Sequence, residues 1–66
     1  MNVWLNGERA QISDAQTVAD LAAQLRLGPH TVLIEHNGVA LHQREWPERC
    51  LKEGDRLEFV RVVAGG

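Results

Sequence analysis

The sequence has few of the residues that mark several common classes of protein. Its 66 residues include one cysteine and no tyrosine, and aromatic residues make up only 5% of the chain. A single cysteine cannot form an intramolecular disulfide, so a reducing cytoplasm is the expected location. No apolar run approaches the length of a membrane span, and the first residues lack the charged-then-apolar pattern of a secretory signal. We therefore expect a soluble domain with no membrane partner.

Positive charge is also scarce. Seven lysines and arginines are set against nine acidic residues, for a net charge of −2, and the basic residues are scattered. Without a basic stripe and interleaved aromatics, we expect no nucleic-acid partner. A chain of this length forms one small domain and cannot enclose a deep cleft. Any chemistry must lie on the surface, at a terminus, or in a site shared with a partner.

The N-terminal residues predict a β-hairpin. Val3 and Leu5 alternate with polar or exposed neighbours, which is typical of a strand with one apolar face. Asn6-Gly7 is a strong signal for a two-residue turn because both residue types tolerate positive φ. A second, weaker strand is predicted over residues 8–12.

A helix is predicted over residues 17–27. Thr17 and Asp20 have the spacing of a capping box, and apolar residues recur behind them at i, i+3, i+4 and i+7. These apolar residues are Val18, Leu21, Ala22 and Leu25. Gly28 is expected to end the helix in the left-handed conformation, and Pro29 blocks its continuation.

The C-terminal half predicts further strands. The β-branched run 31–36 is a strand, Asn37-Gly38 is a turn, and residues 39–41 form a brief strand. An irregular stretch follows over 42–50, since Pro47 disfavours regular helix at the residue before it. After a turn at residues 52–55, the longest strand runs from Leu57 to Val63.

This order of elements predicts a two-layer α+β domain. One short helix can cover only one face of a small sheet, here a mixed sheet of four to five strands. A strand that is apolar on both sides is usually central, so the final strand is expected beside the first. That arrangement is the β-grasp, or ubiquitin-like, fold. The domain is predicted over residues 1–63, with residues 64–66 as a flexible tail.

The chain finishes with Gly65-Gly66. Two residues without side chains make a thin lead that could enter a narrow channel of a partner, although a frayed terminus has the same composition. An α-carboxylate has a pKa of about 3.3–3.7 and is ionised and unreactive at neutral pH, so it needs activation, for example adenylation by ATP. The chain has no phosphate-binding glycine loop. A partner enzyme would have to supply that step.

Several short motifs together resemble one known family. They are Asn6-Gly7, Thr17-Val18 with Leu21, Asn37-Gly38, Arg44-Glu45-Trp46, Leu51, Gly54-Asp55, the strand 57–63 and Gly65-Gly66. At this spacing and chain length they resemble the small sulfur-carrier proteins of thiamine (thiazole) biosynthesis. The chain departs from the family pattern at Leu41-His42-Gln43, Pro47 and Cys50, where partner contacts could differ.

The resemblance implies a mechanism with no cofactor bound to the chain and no catalytic residue in it. An E1-like adenylyltransferase would use ATP to adenylate the carboxylate of Gly66, with Gly65 as the flexible residue behind it. Sulfur from a donor such as a cysteine desulfurase would convert the adenylate to a thiocarboxylate (1-thioglycine). Thiazole synthase would then take the sulfur. The carrier is expected to be a protein co-substrate rather than an enzyme, and a monomer when free.

Three alternatives stay open. The small subunit of molybdopterin synthase uses the same tail chemistry but is usually longer. A protein modifier would be joined through Gly66 to lysines of targets. A plain interaction domain would carry an inert tail, although such domains usually lie within longer chains.

Other chemistry-bearing residues have plainer interpretations. Cys50 is expected to be a small buried or half-buried apolar residue rather than a nucleophile. The histidines, His30, His36 and His42, are six apart, which is not a metal-ligand spacing, and no metal is expected.

The two tryptophans and the carboxylates are also interpreted as structural or surface residues. Trp4 is expected on the sheet face away from the helix, where it could meet a partner, but packing beneath the irregular stretch is the favoured interpretation for both Trp4 and Trp46. Asp20, Glu35, Glu45 and the other carboxylates are interpreted as a solvated surface that could steer docking to a basic partner.

Overall fold

Five strands and one α-helix form the domain in the computed structural model, which describes residues 1–28 and 30–61. The elements are β1 (Asn2–Leu5), β2 (Glu8–Gln11), α1 (Val18–Gln24), β3 (Val32–His36), β4 (Val39–Leu41), a 3₁₀ helix (Gln43–Glu48) and β5 (Arg56–Arg61). The predicted end of the last strand, residues 62–63, lies outside the described residues.

The sheet has the strand order β2-β1-β5-β3-β4, which places the last strand in the centre. β5 runs parallel to β1, with Leu5 beside Leu57, and antiparallel to β3, with Val32 opposite Arg61. The outer pairs, β1 with β2 and β3 with β4, are antiparallel hairpins. The predicted two-layer β-grasp arrangement, a mixed sheet with one main helix, is confirmed.

Both hairpin turns have the backbone that their sequences predict. Asn6 and Gly7 have φ values of 51° and 81°, and Asn37 and Gly38 have values of 52° and 85°. Positive φ at both central positions matches the right-handed twist of the flanking strands. The Asn-Gly pairs therefore set the register of both hairpins.

The helix begins as predicted but ends early. The Thr17 hydroxyl accepts the N–H of Asp20, and the Asp20 carboxylate accepts the N–H of Thr17, which forms the predicted capping box. The left-handed residue after the helix is Arg26 (φ 58°), so the prediction that Gly28 has this role is wrong. The N–H of Leu27 closes the end on the carbonyl of Ala22.

The early end of α1 changes the position of one residue that was predicted to lie on its apolar face. Leu25 is the C-terminal capping residue and is 42% exposed, so its predicted place on the buried face is wrong. In the described part of the chain, moreover, no helix is long and apolar enough to span a membrane.

The stretch expected to be irregular contains a 3₁₀ helix instead, with Pro47 inside it. The residue before proline disfavours the α conformation, but the tighter turn of a short 3₁₀ segment accommodates it. The 3₁₀ helix places the Trp46 side chain in the core, where the residue is 5% exposed. The packing interpretation is therefore confirmed for Trp46.

The core lies between one face of the sheet and α1. Its buried apolar residues are Val3, Ile12, Ala15, Val18, Leu21, Ala22, Val32, Ile34, Leu41, Trp46, Leu51 and Leu57. The sheet face that supplies Val3, Ile34 and Leu57 is called the covered face below. The opposite face carries Trp4, Leu33 and Val60 and is called the open face.

Candidate functional site

The residues predicted to react, Gly65 and Gly66, lie outside the described residues, as does the whole predicted tail 64–66. The structure shows how the chain approaches them. β5 pairs with β1 only through its first two residues, whereas its pairing with β3 continues to its last residue, Arg61, which lies opposite Val32. The end of β5 that leads towards the tail is therefore aligned by β3.

The open face carries exposed apolar side chains next to this end of β5. Leu33 and Val60 are direct cross-strand partners and are 59% and 51% exposed. Trp4 of β1 lies on the same face, beside the first residue of β5, and is 42% exposed. The favoured packing interpretation for Trp4 is therefore wrong, because the stretch 42–50 packs on the covered face instead.

Next to the Leu33–Val60 pair lies a pair of like charges. Glu35 of β3 and Glu58 of β5 are direct cross-strand partners, and together with Gly38 and Arg56 they line a shallow depression of about 260 Å³. Like charges directly opposite each other on a sheet repel and reduce stability. Among the residues that the structure describes, neither carboxylate forms an ion pair within 4.0 Å. Two of the carboxylates that the sequence analysis interprets as a solvated surface thus lie side by side, next to the apolar pair and with Arg56 in the same depression.

A buried polar cluster lies at the opposite end of β5. The side chains of His36 and Asp55 are 8% and 10% exposed, and His36 Nε2 is 2.7 Å from Asp55 Oδ2. The same carboxylate accepts hydrogen bonds from the Asn37 amide at 3.1 Å and from the Lys52 N–H at 2.9 Å. Arg49 donates its Nε–H to His36 Nδ1 at 3.3 Å.

Burial opposes the ionisation of Asp55, but the hydrogen bonds from His36, Asn37 and Lys52 outweigh it. The pKa of Asp55 therefore lies below its ordinary value. The interpretation of the remaining carboxylates as a solvated surface is wrong for Asp55. The sequence carries one signal for this contact, because an aspartate directly after a turn glycine and before a buried strand often anchors the turn.

The other titratable residues considered in the sequence are placed apart. Cys50 is exposed, so the prediction that it is buried or half-buried is wrong. It pairs with Thr17 in an isolated bridge, and the next residue, Leu51, is buried. His30 and His42 are exposed, whereas His36 is buried. Within residues 1–28 and 30–61, no group of three or more His, Cys, Asp or Glu residues is placed to hold a metal ion.

Asp20 and Glu45 are exposed or half-buried but have local roles. The N–H groups of Gln16 and Thr17 donate to the Asp20 carboxylate and lower the pKa of Asp20. Glu45 accepts the N–H of His42 at the start of the 3₁₀ helix. These carboxylates cap backbone groups rather than form an acid–base pair.

The fold defines a class of protein: a small β-grasp domain whose last strand is central in the sheet and carries exposed apolar side chains on the open face. Residues 3–66 match the family model described as the ThiS family, so the chain belongs to that family.

Individual relatives agree with this assignment. The chain is 26% identical over 66 residues to "Sulfur carrier protein ThiS" of Escherichia coli (strain K12), with both chains covered completely. It is 29% identical to the "Thiazole synthase" of Paramagnetospirillum magneticum, but it spans only 20% of that longer protein. The crystal structure of a thiamine biosynthesis protein (ThiS) from Geobacter metallireducens superposes with a TM-score of 0.83 at 29% identity, with full coverage of both chains.

Proposed function

We propose that this protein is the sulfur carrier of thiazole formation in thiamine biosynthesis. The observation that carries the proposal is the match to the ThiS family over residues 3–66, which extends through the terminal diglycine. Full-length similarity to a protein named as a sulfur carrier supports it.

The reacting group is the carboxylate of Gly66. Because a carboxylate is a poor electrophile at neutral pH, an E1-like adenylyltransferase first joins it to AMP from ATP, with release of pyrophosphate. A cysteine desulfurase supplies sulfur as a persulfide, whose terminal sulfur attacks the acyl carbon, so that a C–S bond forms and the C–O bond to AMP breaks. A thiol then reduces the S–S bond of the resulting acyl disulfide, and a thiocarboxylate remains. The chain acts as a co-substrate because the partner enzymes supply catalysis.

The acceptor of the sulfur is thiazole synthase. Support comes from the protein named as a thiazole synthase, one fifth of which corresponds to this chain. A segment similar to this chain within a protein of that name supports a link between the carrier and the synthase. The adenylating enzyme, the desulfurase, the cytoplasmic location and the monomeric free state belong to the same proposal.

The open face supports docking to such partners. An enzyme that holds the tail must also approach the last described residues of β5, where Leu33 and Val60 expose more than half of their surface. The neighbouring Glu35 and Glu58 present two carboxylates that suit a basic side chain on the partner. The apolar pair would supply buried area, and the acidic pair would supply orientation.

The experiment that tests the proposal is an intact-mass measurement after incubation with ATP, the cognate adenylating enzyme and a sulfur source. We expect the mass gain for replacing one oxygen by sulfur, localised to Gly66 by fragmentation. Removal of Gly66, or addition of one alanine after it, should abolish the gain and leave the circular dichroism spectrum unchanged.

A chain with one alanine added at the N-terminus is the matched control and should be loaded normally. Loading of the C-terminally extended chain would contradict the proposal. Lysine-linked adducts in cell lysate would instead support a protein modifier, and sulfur transfer to a pterin precursor would support the molybdopterin alternative.

A further inference from the structure

The buried His36 ring is held by two hydrogen-bond partners of opposite charge. Its Nε2 lies 2.7 Å from a carboxylate oxygen of Asp55, and its Nδ1 lies 3.3 Å from the Nε of Arg49. His36 ends β3, Asp55 precedes β5, and Arg49 follows the 3₁₀ helix. Three separate parts of the chain therefore meet at one imidazole.

These partners determine where the proton of the neutral ring lies. A guanidinium only donates hydrogen bonds, so Nδ1 must accept from Arg49 with its lone pair. An ionised carboxylate only accepts, so Nε2 must carry the proton that is donated to Asp55. The contact with Arg49 can exist only while Nδ1 is unprotonated.

The charged groups around the ring are few. Asp55 faces Nε2 from the turn before β5, and Arg49 faces Nδ1 from the other side. Glu48, Cys50 and Lys52 line the depression of about 380 Å³ into which this cluster opens. The strand neighbours of His36 in the sheet, Val39 of β4 and Leu57 of β5, are apolar.

We propose that His36 is a proton-controlled contact that holds the Arg49 side chain against the sheet when the ring is neutral and releases it when the ring is protonated. Protonation would place an N–H and a positive charge against the Nε–H of Arg49, where neither the charges nor the donors are compatible. The link to Asp55 survives protonation, because a charged imidazolium still donates to that carboxylate.

The change is confined to the side chain of Arg49. Its backbone carbonyl accepts the N–H of Val18 at 2.9 Å, and the N–H of Leu51 donates to Gln16 at 2.8 Å. These bonds fix the backbone of the segment to the start of α1 whatever the state of the ring. Protonation would therefore free the Arg49 side chain, which lines the depression with Glu48 and Lys52, without unfolding the domain.

The cluster around His36 lies at the opposite end of β5 from the residues that lead to the tail. The cluster lies at the start of β5 and Arg61 at its end, and the first and last residues of this strand are about 16–17 Å apart. The proposal consequently does not depend on the sulfur-carrier chemistry, and either one can fail without the other.

Nitrogen-15 NMR of the intact protein, recorded over a series of falling pH values, tests the proposal. At the high end, the ring shifts of His36 should show a protonated Nε2 and a bare Nδ1. The Nε–H of Arg49 should exchange with water roughly fivefold more slowly than that of exposed Arg44, the effect of one hydrogen bond of ordinary strength. This ratio should fall to near one as the His36 ring becomes doubly protonated.

Two matched variants complete the test. His36→Gln keeps a hydrogen-bonding side chain that does not titrate, so the ratio should stay constant across the range. His42→Gln alters an exposed histidine and should retain the pH response. The proposal is overturned by a neutral ring protonated at Nδ1, or by an Arg49 signal that does not follow the titration of His36. If His36→Gln does not fold, these two measurements on the unaltered protein still decide.

Discussion

The two faces of the sheet differ sharply although the same strands build them. In β5, Leu57 is 1% exposed on the covered face and Val60 is 51% exposed on the open face. In β3, Ile34 is fully buried and its neighbour Leu33 is 59% exposed. The covered face meets α1 and Trp46, whereas Leu33 and Val60 lie outside the hydrophobic core of the described residues.

This difference separates the residues that make the fold from those that the fold does not need. Apolar burial on the covered face provides the main stabilisation. On the open face, the exposed Leu33–Val60 pair and the opposed Glu35–Glu58 pair lower solubility or stability rather than raise them. Their presence fits a surface that is completed by a partner.

The largest expected effect comes from truncating the covered face. Leu57→Ala should lower the free energy of unfolding by about 2–5 kcal/mol, because it leaves a cavity in the core. A domain of this size has a margin of only about 3–5 kcal/mol, so much of the variant would be unfolded at room temperature. Urea denaturation followed by circular dichroism measures this.

Val60→Ala on the same strand is the matched control. It should change the free energy of unfolding by no more than about 0.5 kcal/mol, since that side chain is half exposed. Similar losses from the two substitutions would contradict the division between the faces.

A smaller effect is expected where the covered face ends in the polar cluster. Asp55→Asn should cost about 1.5–3 kcal/mol at neutral pH, because hydrogen bonds to a charged acceptor are weakened while the group stays buried. Glu48→Gln, on the exposed rim of the same depression, should cost little. Urea denaturation at neutral pH compares the free energies of unfolding of these two variants.

The cost of Asp55→Asn should also depend on pH. The pKa of Asp55 is lowered in the folded state, so its contribution is present above the unfolded pKa of about 3.9 and is lost as the pH falls through the lower folded pKa. The unaltered protein and the variant should therefore converge in stability in strong acid. A difference that stays constant down to that range would argue against an ionised Asp55 as the source.

Local patterns predicted much of the fold. Three features could be predicted because each depends on neighbours in sequence or on simple alternation: the Asn-Gly turns, the capping box of Thr17 and Asp20, and the central position of the last strand. The end of the helix could not be predicted, since Arg26 rather than a glycine adopts the left-handed conformation. Closure onto Ala22 by the Leu27 N–H outweighs the cost of that residue type.

The polar cluster could not be predicted, for a different reason. His36, Arg49 and Asp55 are up to 19 positions apart and come together only when β3, β5 and the 3₁₀ helix pack. No periodicity connects residues that belong to three elements. The reacting glycines, in contrast, were found through a short terminal motif and a family resemblance, and their role stays a prediction.

The capping box offers a third, smaller test of the covered face. Thr17→Ala removes the hydroxyl that accepts the Asp20 N–H and should cost about 1 kcal/mol. Ser13→Ala, an exposed hydroxyl in the preceding loop, is the control and should be close to neutral. Thermal unfolding compares the two. Equal effects would mean that α1 is held by packing alone.

The smallest expected change in stability, and the sharpest test of the open face, comes from Leu33→Ser and Val60→Ser. Each should alter the free energy of unfolding by no more than about 0.5 kcal/mol, because more than half of each side chain is already in water. If the adenylating enzyme docks on this face, each variant should raise the KM for sulfur loading roughly three- to fivefold and leave kcat nearly unchanged, since docking contacts act on binding.

Val39→Ser is the matched control for these variants. Val39 is 50% exposed, like Val60, but it lies on the edge strand β4 at the end of the sheet away from Arg61. Loading kinetics followed by intact mass should therefore be normal for this variant. An equal rise in KM for Val39→Ser would show that exposed apolar area in general, and not the open face beside the tail, determines how the partner binds. In that case the contrast between the two faces would describe only how the domain folds.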